Sequence, residues 1–180
     1  MSILGSTTVN CNSILPIGGV PSGAIGGGII QCVQTIKTDT YVHSSNAGFT
    51  DVTGLSATIT PRSTSSKILV SVNLNHSGFS YLAIRLYRDA NLIYVGDASG
   101  SRIQAWVGPY HGQDNRYGTH TSQALFVDSP ATTSATTYKV NVGTPSGTNR
   151  AVMIGRSYDD TDSNEHTRTP SSIILMEVSG

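Results

Sequence analysis

Apolar and polar residues alternate along much of this chain. In Ile68-Leu69-Val70-Ser71-Val72-Asn73-Leu74-Asn75, and again in Tyr81-Leu82-Ala83-Ile84-Arg85-Leu86-Tyr87-Arg88, every second residue is apolar. A period of two puts those residues on one side of a pleated strand, so both segments predict half-buried antiparallel strands. Similar short runs rich in Val, Ile, Thr and Tyr, bounded by Gly, Pro, Asn, Asp and Ser, recur from residue 29 to the end. They predict about ten strands, at 30–37, 55–60, 68–75, 81–88, 92–95, 103–107, 123–127, 136–142, 151–156 and 173–178. Asp89-Ala90-Asn91 sits between two of them and suits a tight hairpin connection. The stretch 99–122 is expected to hold one strand and a large exposed loop.

No segment has the 3.6-residue period of a long helix. Many antiparallel strands without a covering helix pack best as two facing sheets, so the expected fold is all-β, a jelly-roll β-sandwich at 29–180. An immunoglobulin-like sandwich and a barrel share the same strand pattern.

Residues 1–28 differ. Pro16-Ile17-Gly18-Gly19-Val20-Pro21-Ser22-Gly23-Ala24-Ile25-Gly26-Gly27-Gly28 defeats both helix and ladder. Scattered apolar residues, among them Ile3, Leu4, Ile14 and Leu15, suit docking onto a neighbour better than a flexible linker does. An extended N-terminal docking arm is therefore expected.

Composition sharpens the functional picture. Charged residues make up 12% of the 180-residue chain and its formal net charge is zero. Without a basic surplus there is no electrostatic pull on nucleic acid or on an anionic membrane, and neither partner is expected. A chain near zero charge is poorly protected against association, which suits a part of an assembly. Cys11 and Cys32 are too few and too far apart for a disulfide scaffold. Cys32, within Ile29-Ile30-Gln31-Cys32-Val33, reads as a small buried hydrophobe. The opening Met1-Ser2-Ile3-Leu4-Gly5 is not a secretory signal, and no run reaches membrane-spanning length, so synthesis and folding in a cytoplasm are expected.

Three segment groups carry a resemblance. They are residues 31–40, then Phe49-Thr50-Asp51-Val52-Thr53-Gly54-Leu55-Ser56-Ala57-Thr58-Ile59-Thr60-Pro61 with Ser65-Ser66-Lys67-Ile68-Leu69-Val70, and finally Thr136-Thr137-Tyr138-Lys139-Val140, Asp160-Thr161-Asp162 and residues 167–178. Together they resemble the C-terminal jelly-roll domain of phage tail-fibre and related virion structural proteins, which is similar to tumour-necrosis-factor and complement-type folds. The resemblance implies a homotrimer, a place in the virion at a tail fibre or tail tip, and no catalysis. Residues 1–28 match no fibre shaft, which keeps a trimeric capsid decoration protein, anchored by that arm, as the second reading. A free lectin or carbohydrate-active enzyme is the third.

Candidate chemistry is sparse. There is no Gly-x-Ser-x-Gly elbow, no phosphate loop before a helix and no His or Cys array at metal-ligand spacing, so no catalytic residue, cofactor or metal is expected. Asp160, Asp162 and Asn164 alternate like the start of a calcium loop. Glu165 and Ser171 occupy the positions where that loop needs Gly and a bidentate Glu, so they remain weak candidates. The stretch 106–120 is richer. It holds the only Trp and combines aromatic rings with amide and charged groups, a mixture that suits a host-surface glycan or protein. Trp106 itself reads as core, which leaves Tyr110, Asp114, Asn115, Arg116 and Tyr117 as the receptor-binding candidates.

Overall fold

The computed structural model describes residues 28–43, 48–78, 80–108, 110–111, 116–144 and 151–180, with the backbone alone at 80, 110 and 111. Residues 1–27, and with them nearly all of the expected arm, lie outside the described residues, as do Asp114 and Asn115.

Every described element is a strand: β1 (Ile29–Lys37), β2 (Tyr41–His43), β3 (Phe49–Ile59), β4 (Lys67–Gly78), β5 (Ser80–Tyr81), β6 (Ala83–Arg88), β7 (Asn91–Ile93), β8 (Tyr110–His111), β9 (His120–Asp128), β10 (Thr136–Gly143), β11 (Val152–Ile154) and β12 (Ser171–Val178). β12 pairs with β4 from Lys67 to Asn73, and β11 takes over the same edge of β4 from His76 to Gly78. β1 and β2 follow one another along the next line, on β12 and β11 respectively. With each such pair counted as one line, the larger sheet runs β1/β2, β12/β11, β4, β9 and the smaller runs β3, β10, β6, β7. In chain order these are lines one, eight, three, six facing two, seven, four, five, which is the jelly-roll arrangement of two Greek keys. All named pairings are antiparallel.

Alternation decides which side chains meet between the sheets. In β12 every odd residue from Ser171 is buried, and β4 buries Ile68, Val70, Val72 and Leu74. They face Leu55, Ile59, Ile84, Leu86, Tyr138 and Val140 of the smaller sheet to form one apolar core. At roughly 1.5–3 kcal/mol for each fully buried large apolar side chain, this packing is the main stabilising term. Arg88, Asp128 and Tyr138 stitch the two sheets at one side. Asp128, at the end of β9, accepts both Arg88 Nη1 bonds (2.8 and 2.7 Å) and the Tyr138 hydroxyl (2.7 Å). Burial and the adjoining carboxylate raise the Tyr138 phenol above its ordinary range.

Local chemistry explains several strand ends. Asp89 opens the β6–β7 turn with φ of 53°, a left-handed value that Asp tolerates. Its side chain accepts the Thr137 N–H at 2.9 Å and its own N–H donates to the Thr137 carbonyl at 2.7 Å, so β10 holds the turn. Gly54 (φ 80°) lies where the β3–β10 register shifts, and supplies the left-handed backbone of that bulge.

The expected strand at 103–107 does not form. β7 occupies the edge of β6 from Leu86 to Arg88, and the segment meets the remaining end of β6 in a single bridge, Val107 to Ile84. The segment instead runs beside the sheet as an ordered wall. The run 81–88 is broken at Leu82, with Tyr81 drawn away to pair with β8. Cys32 is exposed rather than buried. The pleat of β1 turns Gln31 inward instead, where its amide donates to Glu177 and to the Thr60 carbonyl.

Candidate functional site

Between β11 and β12 the chain leaves the larger sheet at residue 155 and rejoins the same strand line at residue 171. Gly155 makes the exit with φ of 77°, and a Cβ there would meet the Asp39 carbonyl at 3.1 Å. The return is fixed by Asn75 of β4. Its carbonyl accepts the Gly155 N–H (3.0 Å), its N–H donates to Ser171 Oγ (3.0 Å), its Nδ2 donates to the Pro170 carbonyl (2.5 Å), and its Oδ1 accepts from Thr121 (2.5 Å). Ser77 adds a bond to the Arg156 carbonyl at 2.8 Å. The 155–170 excursion therefore roofs the outer side of β4 at Asn75 and Ser77, which is why these polar residues are buried.

Two of the predicted receptor residues pack against this excursion. Arg116 Nη2 bonds Asp159 Oδ1 at 2.8 Å, while the Asp159 N–H donates to the Arg116 carbonyl at 3.1 Å. Tyr117, 53% exposed, sets its ring edge-on to His166 at 5.3 Å. The hydrogen bond and charge of Asp159 raise the Arg116 guanidinium further above its ordinary value. Inside the excursion, Ser157 Oγ donates to the Asp159 carbonyl at 2.7 Å and lies 2.9 Å from His166 Nδ1. Arg116 and Tyr117 are thus held by neighbours as well as presented to solvent.

Asp160, the first of the weak metal candidates, is engaged by two arginines, Arg156 (2.5 Å) and Arg168 (2.6 Å). Two adjacent cations neutralise the carboxylate that a divalent ion would need. Asp160 and Asp162 line a hollow of about 270 Å³ with Ser163, His166 and Arg168, and Asn164 falls in the same excursion. Among the described residues no group of three or more His, Cys, Asp or Glu is placed to hold a metal ion. Tyr110 pairs through its backbone with Tyr81.

The two outer faces of the sandwich contrast. On the smaller sheet Lys139 bonds Asp51 at 2.7 Å, Arg85 sits 3.7 Å over the Phe49 ring, and Thr58 bonds Thr137. On the larger sheet, beyond the roofed part, three cross-strand rows run from β1 to β9: Cys32, Met176, Leu69, Val127; then Gln34, Ile174, Ser71, Leu125; then Ile36, Ser172, Asn73, Gln123. None of these side chains is ionisable apart from the Cys32 thiol. Leu125 is 66% exposed, Ile36 56% and Val127 53%. Strand spacing and rise make this a patch of roughly 20 by 20 Å. The face is uncharged and mixed: Ile36, Leu125 and Val127 stand out as exposed apolar side chains among Gln34, Gln123, Ser71, Ser172 and Asn73. Sequence reading passed over it, because each strand shows it only as the weaker half of an alternation.

No family model matches the chain, and no curated protein matches it. Among solved structures it is similar to the structure of infectious bursal disease virus, Gx strain, with a TM-score of 0.37 and 13% identity over 83% of this chain. The chain spans 38% of the length of that one. A superposition this loose does not establish a shared fold, and the jelly-roll assignment stands on strand order alone.

Proposed function

We propose that this protein is a structural component of a virion, a homotrimer at a phage tail fibre or tail tip, which attaches to a host-surface glycan or protein and performs no catalysis. The observation that supports it best is the uncharged outer face of the larger sheet, with Ile36, Leu125 and Val127 exposed on it. Turned towards the axis of a closed ring, three such faces bring no unpaired ion to desolvate. A jelly roll is a fold of virion and lectin domains, which agrees with the reading by analogy. The resemblance of residues 29–180 to tail-fibre head domains supplies the trimer and the tail.

In this reading residues 1–28 bind neighbouring virion proteins, and the loops that carry Tyr110, Asp114, Asn115, Arg116 and Tyr117 face the host. Native light scattering is the first test: a particle of three 18.9-kDa chains is expected, and a monomer at micromolar concentration would overturn the trimer. Labelled antibody on intact particles should decorate the tail. Decoration of the shell would instead make this the capsid protein of the second reading. Release of reducing ends from host polysaccharide by the pure protein would overturn the non-catalytic assignment.

A further inference from the structure

A groove of about 510 Å³ lies at the open side of the sandwich, lined by Tyr94, Val95, Gly96, Ala105, Trp106, Val107 and Gln123. Its first wall starts where the chain leaves β7. Tyr94 takes a left-handed φ of 52°, an outlier for an aromatic residue, and its ring stacks on Phe126 of β9 at 4.3 Å with 9° between the planes. That stack secures a backbone the side chain does not favour. The second wall is the segment that failed to become a strand. It is pinned to β6 by bonds from Trp106 N and Val107 N to the Ile84 carbonyl, and from Ile84 N to the Val107 carbonyl. Gln104 then ties the walls together, its Nε2 donating to the Gly96 carbonyl at 2.8 Å while its own carbonyl accepts Arg85 Nε at 2.9 Å. Trp106 rests against the core and Tyr94 stays 46% exposed, so two aromatic rings are presented by a braced frame.

The geometry points to this groove as a binding site for a neutral pyranose. A sugar ring offers C–H faces to aromatic rings and hydroxyls to an amide, and the groove supplies Tyr94 and Trp106, with Gln123 of edge strand β9 at the rim between the groove and the outer face. Its volume falls within the range of about 300–1,000 Å³ typical of small-molecule sites. Among the described residues no acid or base lines it, so the carboxylate of an acidic sugar would lose water without gaining a counter-charge. The site deepens the attachment part of the proposed function and places it away from the 116–117 loop.

Trp106 is the only tryptophan and reports on the groove directly. Full-length protein is titrated with the methyl glycosides of glucose, galactose, mannose and N-acetylglucosamine, and with N-acetylneuraminic acid, while tryptophan fluorescence and the amide spectrum of residues 94–107 are followed. At least one neutral glycoside should give a saturable change with a Kd of about 1 mM, as expected for a ligand of this size. Tyr94→Gly, which removes the ring and relieves the left-handed backbone together, should weaken binding about tenfold or more, and Gln123→Ala should weaken it as well. Thr58→Ala, on the outer face of the smaller sheet, should leave it unchanged. No response to any neutral glycoside in either signal, a response to the acidic sugar alone, or unaltered binding by Tyr94→Gly would overturn the site. If the native mass remained that of a trimer in such a case, the virion reading would stand without this groove.

Discussion

Asn75 and Pro170 are joined by a hydrogen bond that closes the base of a long excursion: the amide Nδ2 on β4 donates to the proline carbonyl where the chain re-enters the sheet. Proline at 170 has no N–H to offer, so the return to the ladder depends on groups supplied from β4. One asparagine meets both feet of the excursion and Thr121 of the next strand.

Asn75→Ala should therefore cost about 1–2 kcal/mol, since it removes the side-chain bonds to the Pro170 carbonyl and the Thr121 hydroxyl together. Denaturant unfolding measures the loss. Amide exchange should accelerate first across 156–168, and an unchanged exchange pattern there would show that the excursion is held by other contacts.

The bare face can be tested without touching the core. Leu125 and Val127 are exposed on β9, so Leu125→Asp with Val127→Asp should leave the folded circular dichroism spectrum intact. The charges would lie in an interface between copies and should turn the assembly into monomers by light scattering. A double variant that keeps the wild-type mass would place the contact elsewhere.

Asp128 serves two donors from the smaller sheet, so Asp128→Ala strands the Arg88 guanidinium and the Tyr138 hydroxyl at once. A loss of about 3 kcal/mol is expected by thermal or chemical unfolding. Tyr138→Phe, which removes one bond and leaves the Arg88 pair, should cost nearer 1 kcal/mol.

Acid should weaken the fold in two stages. Burial lowers the His43 imidazole below its ordinary value of 6.5, so the unfolded chain takes up the proton first, and stability present above pH 6.5 declines below it. Glu177 responds lower down. Burial would raise its carboxyl, but the adjoining Ser66 hydroxyl and the bonds from the Arg62 N–H and Gln31 outweigh that and hold it below 4.5. Its contribution is full above pH 4.5 and is lost as the pH falls through the folded value. Melting temperature against pH should show both declines, with His43→Gln flattening the upper one and Glu177→Gln the lower.

Arg116→Ala removes the ion pair with Asp159, which is partly exposed, so the global stability should shift by less than about 1 kcal/mol. The local effect should be larger, with faster proteolysis or exchange in 157–168. If 116–117 contact a receptor, adsorption of virions carrying Arg116→Ala with Tyr117→Ala should also fall.

The sequence alone determined the elements that rest on local alternation. β4, β10 and β12 were legible because one face of each is buried, and a period of two records that directly. The hairpin at Asp89 was legible because turn chemistry is local. What needed the tertiary structure was any feature that depends on which edges are vacant. Residues 103–107 alternate as a strand should, yet β7 already holds the edge of β6 they would have used. Cys32 faces out and Gln31 in, against the expectation for Cys32, because an apolar run carries no phase until a neighbouring strand sets it. Arg116 and Tyr117 were found as candidates from residue type, but their meeting with Asp159 and His166 joins segments more than forty residues apart. Tyr94 and Trp106 lie in one short stretch, but their facing walls are set by the bonds to Ile84 and Gly96 that only the folded chain makes.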